Sequence, residues 1–267
     1  MHEYLSCALA GLAVSAGLAF SAWLWSLRQR DASVIDPVWP LMIAGAGLGY
    51  AFYLPRTGER GFLVLGLALI WALRLCLHLV WRRRDHPGED RRYQAIRARN
   101  EPNFGIKSVY LVFGLQAVLA WCVSAPLGVA WASSSPLRWP DMLGAAIALF
   151  GLVFEALADA QLAVFRADPA SRGAVMDQGL WRYSRHPNYF GEACFWWGLG
   201  LLALTGGGWA SVVSLLSPLL MTLLLLRVSG VRLLEADLLQ RRGDAYRAYI
   251  ARTPAFVPGR PKANLES

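Results

Sequence analysis

Five groups of polar side chains interrupt or border long apolar stretches of this sequence, and chemistry is expected there first. Asp36 precedes Pro37. Arg74, His78 and Arg82 follow at i, i+4 and i+8, and Glu155 and Asp159 at i and i+4 with Arg166 seven residues on. Asn188 and Glu192 repeat the i, i+4 interval, and Arg227 closes an apolar run. On a helix such intervals put each group on one face. An ionisable side chain inside an apolar span costs several kcal/mol unless it is paired or lines a cavity, so each group marks a candidate site. Asp159, Arg166, Asn188 and Glu192 converge at one level of two helices and suit a charged, polar ligand. Asp36, Arg74 and His78 suit proton donation or stabilisation of developing charge. Plainer readings stand beside these. Asp36 before a proline is a good helix N-cap, Arg82 belongs to the interfacial run Arg82-Arg83-Arg84, and Glu155 could simply bond a neighbouring helix.

The elements that must position these residues follow from composition. A chain of 267 residues that is 56% hydrophobic and only 16% charged is too apolar for an ordinary soluble domain. Apolar blocks of about 20 residues, enough to cross a bilayer core, alternate with short polar stretches. They predict an all-α polytopic protein with seven transmembrane helices near 4–27, 34–54, 61–81, 109–131, 141–165, 188–205 and 209–229. Of the 26 Lys and Arg residues, 22 fall at 28–33, 82–108, 166–187 and from 227 onward, against Arg56, Arg60 and Arg138 on the other side and Arg74 within a span. The positive-inside rule then places the N-terminus outside and the C-terminus in the cytoplasm. The first apolar run lacks a basic stretch before it and a small-residue cleavage site, so it is expected to remain as a membrane helix. If spans two and three pack antiparallel, Asp36 should pair with His78 or Arg82.

The same topology accounts for much of the net charge of +8. Nucleic-acid binding is not expected, because no zinc finger, RNA-recognition motif or helix-turn-helix accompanies that charge. Cys7, Cys76, Cys122 and Cys194 each lie in an apolar block without zinc-ligand or disulfide-framework spacing, so they are read as packing residues and no metal site is expected. Gly45-Ala46-Gly47-Leu48-Gly49 is glycine-rich but sits inside a span with no preceding strand, which makes it a helix-packing surface rather than a dinucleotide fingerprint.

The stretch Gly179-Leu180-Trp181-Arg182-Tyr183-Ser184-Arg185-His186-Pro187-Asn188-Tyr189-Phe190-Gly191-Glu192 resembles the signature of the steroid 5α-reductase and sterol-reductase superfamily, most closely its bacterial DUF1295-type membrane proteins. Supporting pieces are Asp36-Pro37-Val38-Trp39, Trp71-Ala72-Leu73-Arg74, Gly88-Glu89-Asp90-Arg91-Arg92-Tyr93, and Tyr246-Arg247-Ala248-Tyr249 before Phe256-Val257-Pro258. The resemblance is closest over 141–258. It implies a single membrane-embedded domain over 1–267, with substrate-side helices and a first cytoplasmic loop in 1–108 and a cofactor-binding half in 109–267. It implies NADPH as cofactor, held by Asp159, Arg166, Arg172, Tyr183, Asn188, Glu192 and Arg227. The chain departs from the steroid reductases at Asp36-Pro37, where they carry a Gln-Glu pair. It departs again at Trp71 and Arg74, near their substrate-binding Tyr, and at Val231 and Glu235, where they have His and Tyr.

Physical chemistry is consistent with that implication. A pyrophosphate and a 2′-phosphate call for arginines, which Arg166, Arg172 and Arg227 supply. Ribose hydroxyls and a carboxamide call for carboxylates and amides, which Asp159, Asn188 and Glu192 supply. Pro187 at the first helical position would leave backbone N–H groups free for an anion. The expected activity is hydride transfer from NADPH to a C=C bond conjugated to a carbonyl in a lipophilic, steroid-like substrate, with Asp36, Arg74 and His78 as the catalytic group. The competing enzyme is an S-adenosylmethionine-dependent methyltransferase of the isoprenylcysteine type, which shares a very similar Arg-His-Pro-x-Tyr element. The partners expected are the lipophilic substrate and membrane lipids, without an obligate protein partner. The expected location is a bacterial inner membrane, with the cofactor site facing the cytoplasm.

Overall fold

The computed structural model describes residues 2–54, 58–84, 88–228 and 230–262, and Arg56 lies outside them. The described residues are helical with short connections and contain no strand. Helices α1 (His2–Gln29), α2 (Ile35–Tyr53) and α3 (Glu59–Arg84) are followed by the short polar α4 (Arg91–Asn100). Then come α5 (Phe104–Ala132), α6 (Trp139–Ala167), α7 (Pro187–Leu204), α8 (Trp209–Val228), α9 (Val231–Arg242) and α10 (Asp244–Arg252).

Among the described residues six stretches are long and apolar enough to cross a membrane, α1, α2 with its leading turn, α3, α5, α6 and α8, and they mark a membrane protein. The segment expected as the sixth of seven spans folds as α7, but Pro187, Asn188 and Glu192 lower its hydropathy and leave it outside those six. Two helices change pitch. Val109–Gly114 within α5 and Leu224–Val228 at the end of α8 are π-helical, a distortion frequent at functional sites, and Arg227 sits in the second.

The chain divides into two compact units, Met1–Arg138 with Leu202–Ser217, and Trp139–Leu201 with Pro218–Ser267. Span four, assigned to the cofactor half by sequence, thus groups with the N-terminal helices. In the first unit the Gly45–Gly49 run packs helices. A Cβ on Gly49 would stand 3.1 Å from the Ala10 carbonyl oxygen of α1, and one on Gly47 2.9 Å from Leu65 of α3. Ser15 Oγ of α1 donates to the Met42 carbonyl at 3.1 Å. Arg60 is fully buried at the opposite end of α3, where its guanidinium donates to Ser133 Oγ at 2.9 Å, Ser135 Oγ at 2.6 Å and the Pro136 carbonyl at 3.2 Å. Those bonds satisfy the loop that ends α5.

In the second unit α6 and α7 run antiparallel with their backbones nearly touching. A Cβ on Gly191 would lie 2.6 Å from Glu155 N and 2.8 Å from Gly151 O, and one on Gly198 would lie 2.6 Å from Gly144 O. Glycine is required at this crossing, and every polar residue of α6 and α7 takes its register from it.

Candidate functional site

The glycine crossing sets Glu155 and Asp159 of α6 against the first turn of α7. Asp159 and Glu192 are buried, as is Glu155. Asn188 Nδ2 donates to Asp159 Oδ1 at 3.1 Å, and Asn188 Oδ1 accepts from the Tyr189 backbone N–H at 3.0 Å. The amide is thereby fixed in orientation between a carboxylate and a helix start. Pro187 opens α7, as its fixed φ and missing N–H favour. Two of the seven residues proposed for the cofactor are therefore in direct contact, and Glu192 follows Asn188 one turn along. Arg166 stands in the last turn of α6. Arg172, Tyr183 and Arg227 are exposed on other stretches of the second unit, and among the described residues their side chains have no partner. The second unit thus holds buried carboxylates and an amide, together with exposed guanidinium groups, side-chain types that bind hydroxyls and phosphates.

The stretch leading into α7 is held by the C-terminal segment. Gly259 N donates to the Tyr183 carbonyl at 2.9 Å, Arg185 N to the Pro254 carbonyl at 2.9 Å, and Ser184 Oγ to the Phe256 carbonyl at 2.7 Å. Tyr249 of α10 donates to the Trp181 carbonyl, and Trp181 Nε1 to the Ala158 carbonyl of α6 at 3.0 Å. Gly179 has φ +57°, and a Cβ there would meet the Gln161 side chain, whose Oε1 accepts from Leu180 N at 2.9 Å.

Beneath this strap lies a constellation to which sequence reasoning gave no role. Glu235 Oε1 of α9 accepts from Arg185 Nε at 2.7 Å and stands 3.1 Å from Nε2 of His186, which is itself buried. Arg185 Nη1 also donates to the Thr253 carbonyl at 2.5 Å and the Ile250 carbonyl at 3.2 Å. Burial alone would raise the Glu235 pKa, but the bonds from His186 and Arg185 outweigh it and hold the carboxyl below the ordinary glutamate range. The His186 ring lies parallel to Tyr189, with centroids 5.5 Å apart. The signal for this group was present in the quoted signature, but its partner is 49 residues away, beyond the reach of helical spacing.

The residues proposed as catalytic all lie in the first unit. Asp36 is in the first turn of α2, yet it does not cap the helix, whose N-cap position is Val34 without a side-chain bond. Nor does it bond His78 or Arg82, the partners span packing predicts; Arg82 acts on it only as a nearby charge. Asp36 Oδ2 accepts from Arg92 Nη2 at 2.8 Å and Oδ1 from the Tyr93 hydroxyl at 2.6 Å, both from α4. Tyr93 in turn accepts from Gln116 Nε2 of α5 at 2.9 Å, and Arg92 Nε donates to Asp90 Oδ1 at 3.0 Å. The reason is reach. α4 folds back against the start of α2 and brings an arginine and a phenol where span packing alone suggested an imidazole. Burial would raise the Asp90 pKa, and the bond and charge of Arg92 reverse this, holding it below the ordinary aspartate range. Alongside, Glu89 Oε1 accepts from Ala32 N and from Arg97 Nη2, both at 2.8 Å. Asp31 pairs with Arg83 and with the Ser33 hydroxyl. Arg74 and His78 are half-buried on α3.

A family profile described as Protein of unknown function (DUF1295) matches residues 22–253. The chain belongs to the DUF1295 family. A protein of Schizosaccharomyces pombe (strain 972 / ATCC 24843) named Uncharacterized protein C594.04c is 23% identical over 212 residues, covering 70% of this chain and 61% of the yeast protein. This chain therefore spans less than two thirds of that relative's length. No solved structure matches it. The DUF1295 match takes in all ten proposed site residues together with Arg185, His186 and Glu235, and it ends at the point where the strap of 254–262 begins.

Proposed function

We propose that this chain is an NADPH-dependent membrane reductase acting on a C=C bond conjugated to a carbonyl in a lipophilic substrate. The observation that carries the reading is the Asp159–Asn188 contact, made by two helices locked together through glycines. The donor set fits the cofactor. Arg172 and Arg227 are cations without a side-chain partner among the described residues, and Asp159, Asn188 and Glu192 of the same unit supply acceptors and an amide. Bound there, NADPH would supply a hydride. The chain's own part would be to grip phosphates through Arg166, Arg172 and Arg227, with Tyr183 beside them, and to orient a carboxamide through Asn188.

In the first unit, both oxygens of Asp36 are engaged by α4, so its role in this reading is positioning. Arg74 and His78 would be the donors to the substrate carbonyl. The reading includes seven crossings. α7 at 18 residues and about 1.5 Å per residue is about 27 Å long, close to a bilayer core. It also includes a cytoplasmic cofactor site in a bacterial inner membrane, supported by the basic 82–108 and 166–187 stretches.

The test is calorimetric titration of the detergent-solubilised protein with NADPH and with S-adenosylmethionine. Saturable NADPH binding that disappears in Asn188→Ala supports reduction. Binding of the methyl donor alone would replace reduction by methyl transfer, and unchanged NADPH affinity in Asn188→Ala would remove the assigned site.

A further inference from the structure

Where α1 ends and α5 begins, the first unit holds a cavity of about 80 Å³ lined by Ser26, Leu27, Arg30, Arg97, Phe104 and Ser108, among others. We propose that it binds the phosphate of an anionic membrane lipid. The level is right for a headgroup, because the apolar span of α1 stops at Gln29 and that of α5 starts at Phe104. Just inside it, Trp23 Nε1 donates to the Gly105 carbonyl at 2.9 Å, an aromatic anchor of the kind found at the lipid–water boundary.

The charge is right as well. The lining contains no acidic side chain. Arg97 is largely committed, with Nε and Nη2 on Glu89, Nη2 on the Arg30 carbonyl and the guanidinium 4.5 Å over the Phe104 ring. It therefore shapes the wall. The Arg30 side chain has no partner among the described residues, so its donors are available for a phosphate oxygen. Leu27 and Phe104 complete an apolar edge where acyl chains would depart.

Backbone conformation gives an independent observation. Arg30 has φ +54°, and Asp31 N reaches back to the Ser26 carbonyl at 3.2 Å, the closure that ends a helix through a left-handed residue. Glycine is the residue such a turn favours, and a long cation occupies it here against that preference. Placing a guanidinium in the cavity accounts for the choice.

The experiment uses the full chain in an uncharged detergent and follows unfolding by tryptophan fluorescence. The probes are dioctanoylphosphatidylglycerol, dioctanoylphosphatidylcholine and inorganic phosphate. Phosphatidylglycerol should raise the melting temperature saturably, as a ligand of the native state does, and phosphatidylcholine should do so far less. Arg30→Gly should fold with an unliganded melting temperature equal to or above the parent's, yet need about tenfold more phosphatidylglycerol for half the shift, the loss of one charge-assisted contact. Arg30→Gln, which keeps the side-chain length without the charge, should show the same loss. An unchanged phosphatidylglycerol midpoint in both variants would overturn the site. An equal shift at an equal midpoint with inorganic phosphate alone would overturn the lipid assignment in favour of a soluble phosphate.

Discussion

Asp36 and Glu235 are two carboxylates used in the same way, each tying a helix that crosses or borders the membrane to a short polar helix outside it. Asp36→Asn keeps an acceptor for Tyr93 but turns an amide toward Arg92, so it should lower stability by about 1–2 kcal/mol and loosen α4. Hydrogen exchange over 91–100 would register this, and protection equal to the parent's would show that α4 is held by other contacts. Tyr93→Phe should cost less, since the ion pair survives. The Glu235 carboxyl is held below its ordinary value of 4.5 by His186 and Arg185, so its charged form contributes stability above that value and the contribution fades as pH falls through the folded pKa. Melting temperature measured from pH 7 down to about pH 3 should therefore fall more steeply in the parent than in Glu235→Gln, which is expected to be about 1–2 kcal/mol weaker at neutral pH. Parallel curves would mean that the carboxylate is not what holds α9 to the stretch leading into α7.

At the scale of elements, the α6–α7 crossing is the most exposed to substitution. A methyl group on Gly191 meets backbone atoms of α6 that cannot turn aside, so Gly191→Ala should destabilise by about 1–3 kcal/mol even though alanine favours the helix by about 1 kcal/mol. Gly17 and Gly66 have open space where a Cβ would go, so alanine there should be neutral or slightly stabilising, and the contrast is measurable by thermal unfolding in detergent. Equal effects at all three positions would deny the crossing its role. The long helices were legible because apolar length announces itself: 4–27 became His2–Gln29 and 141–165 became Trp139–Ala167. The packing use of Gly45–Gly49 was legible for the same reason, since small residues inside a span have few other purposes. α4 was not. Its Arg-rich ten residues carry no apolar periodicity, and its value lies in Arg92 and Tyr93 reaching a carboxylate more than fifty positions earlier. Spacing placed Asn188 and Glu192 on one helix and Asp159 at the same level of another, whereas the bond from Asn188 to Asp159 became visible only in the fold.

Taken whole, the protein is two helical units threaded by one chain, the second opening at Trp139 and completed after the chain has passed through the first again. Seven crossings, the count in the proposed reading, put reporters fused before residue 2 and after residue 262 on opposite sides of the membrane. Reporters on the same side would instead leave α7 as a helix that does not traverse. The strap from 254 to 262 carries a consequence for biosynthesis. The Tyr183 carbonyl, the Arg185 N–H and the Ser184 hydroxyl, which lead into the stretch bearing Asn188 and Glu192, find partners in residues 254–259. While the ribosome is still adding those residues, the signature stretch is already made but lacks these bonds. The second unit therefore closes around that stretch only once residues 254–259 have emerged, and a nascent chain arrested at residue 250 should carry a protease-sensitive loop around Arg182 that a chain with residue 262 clear of the ribosome closes.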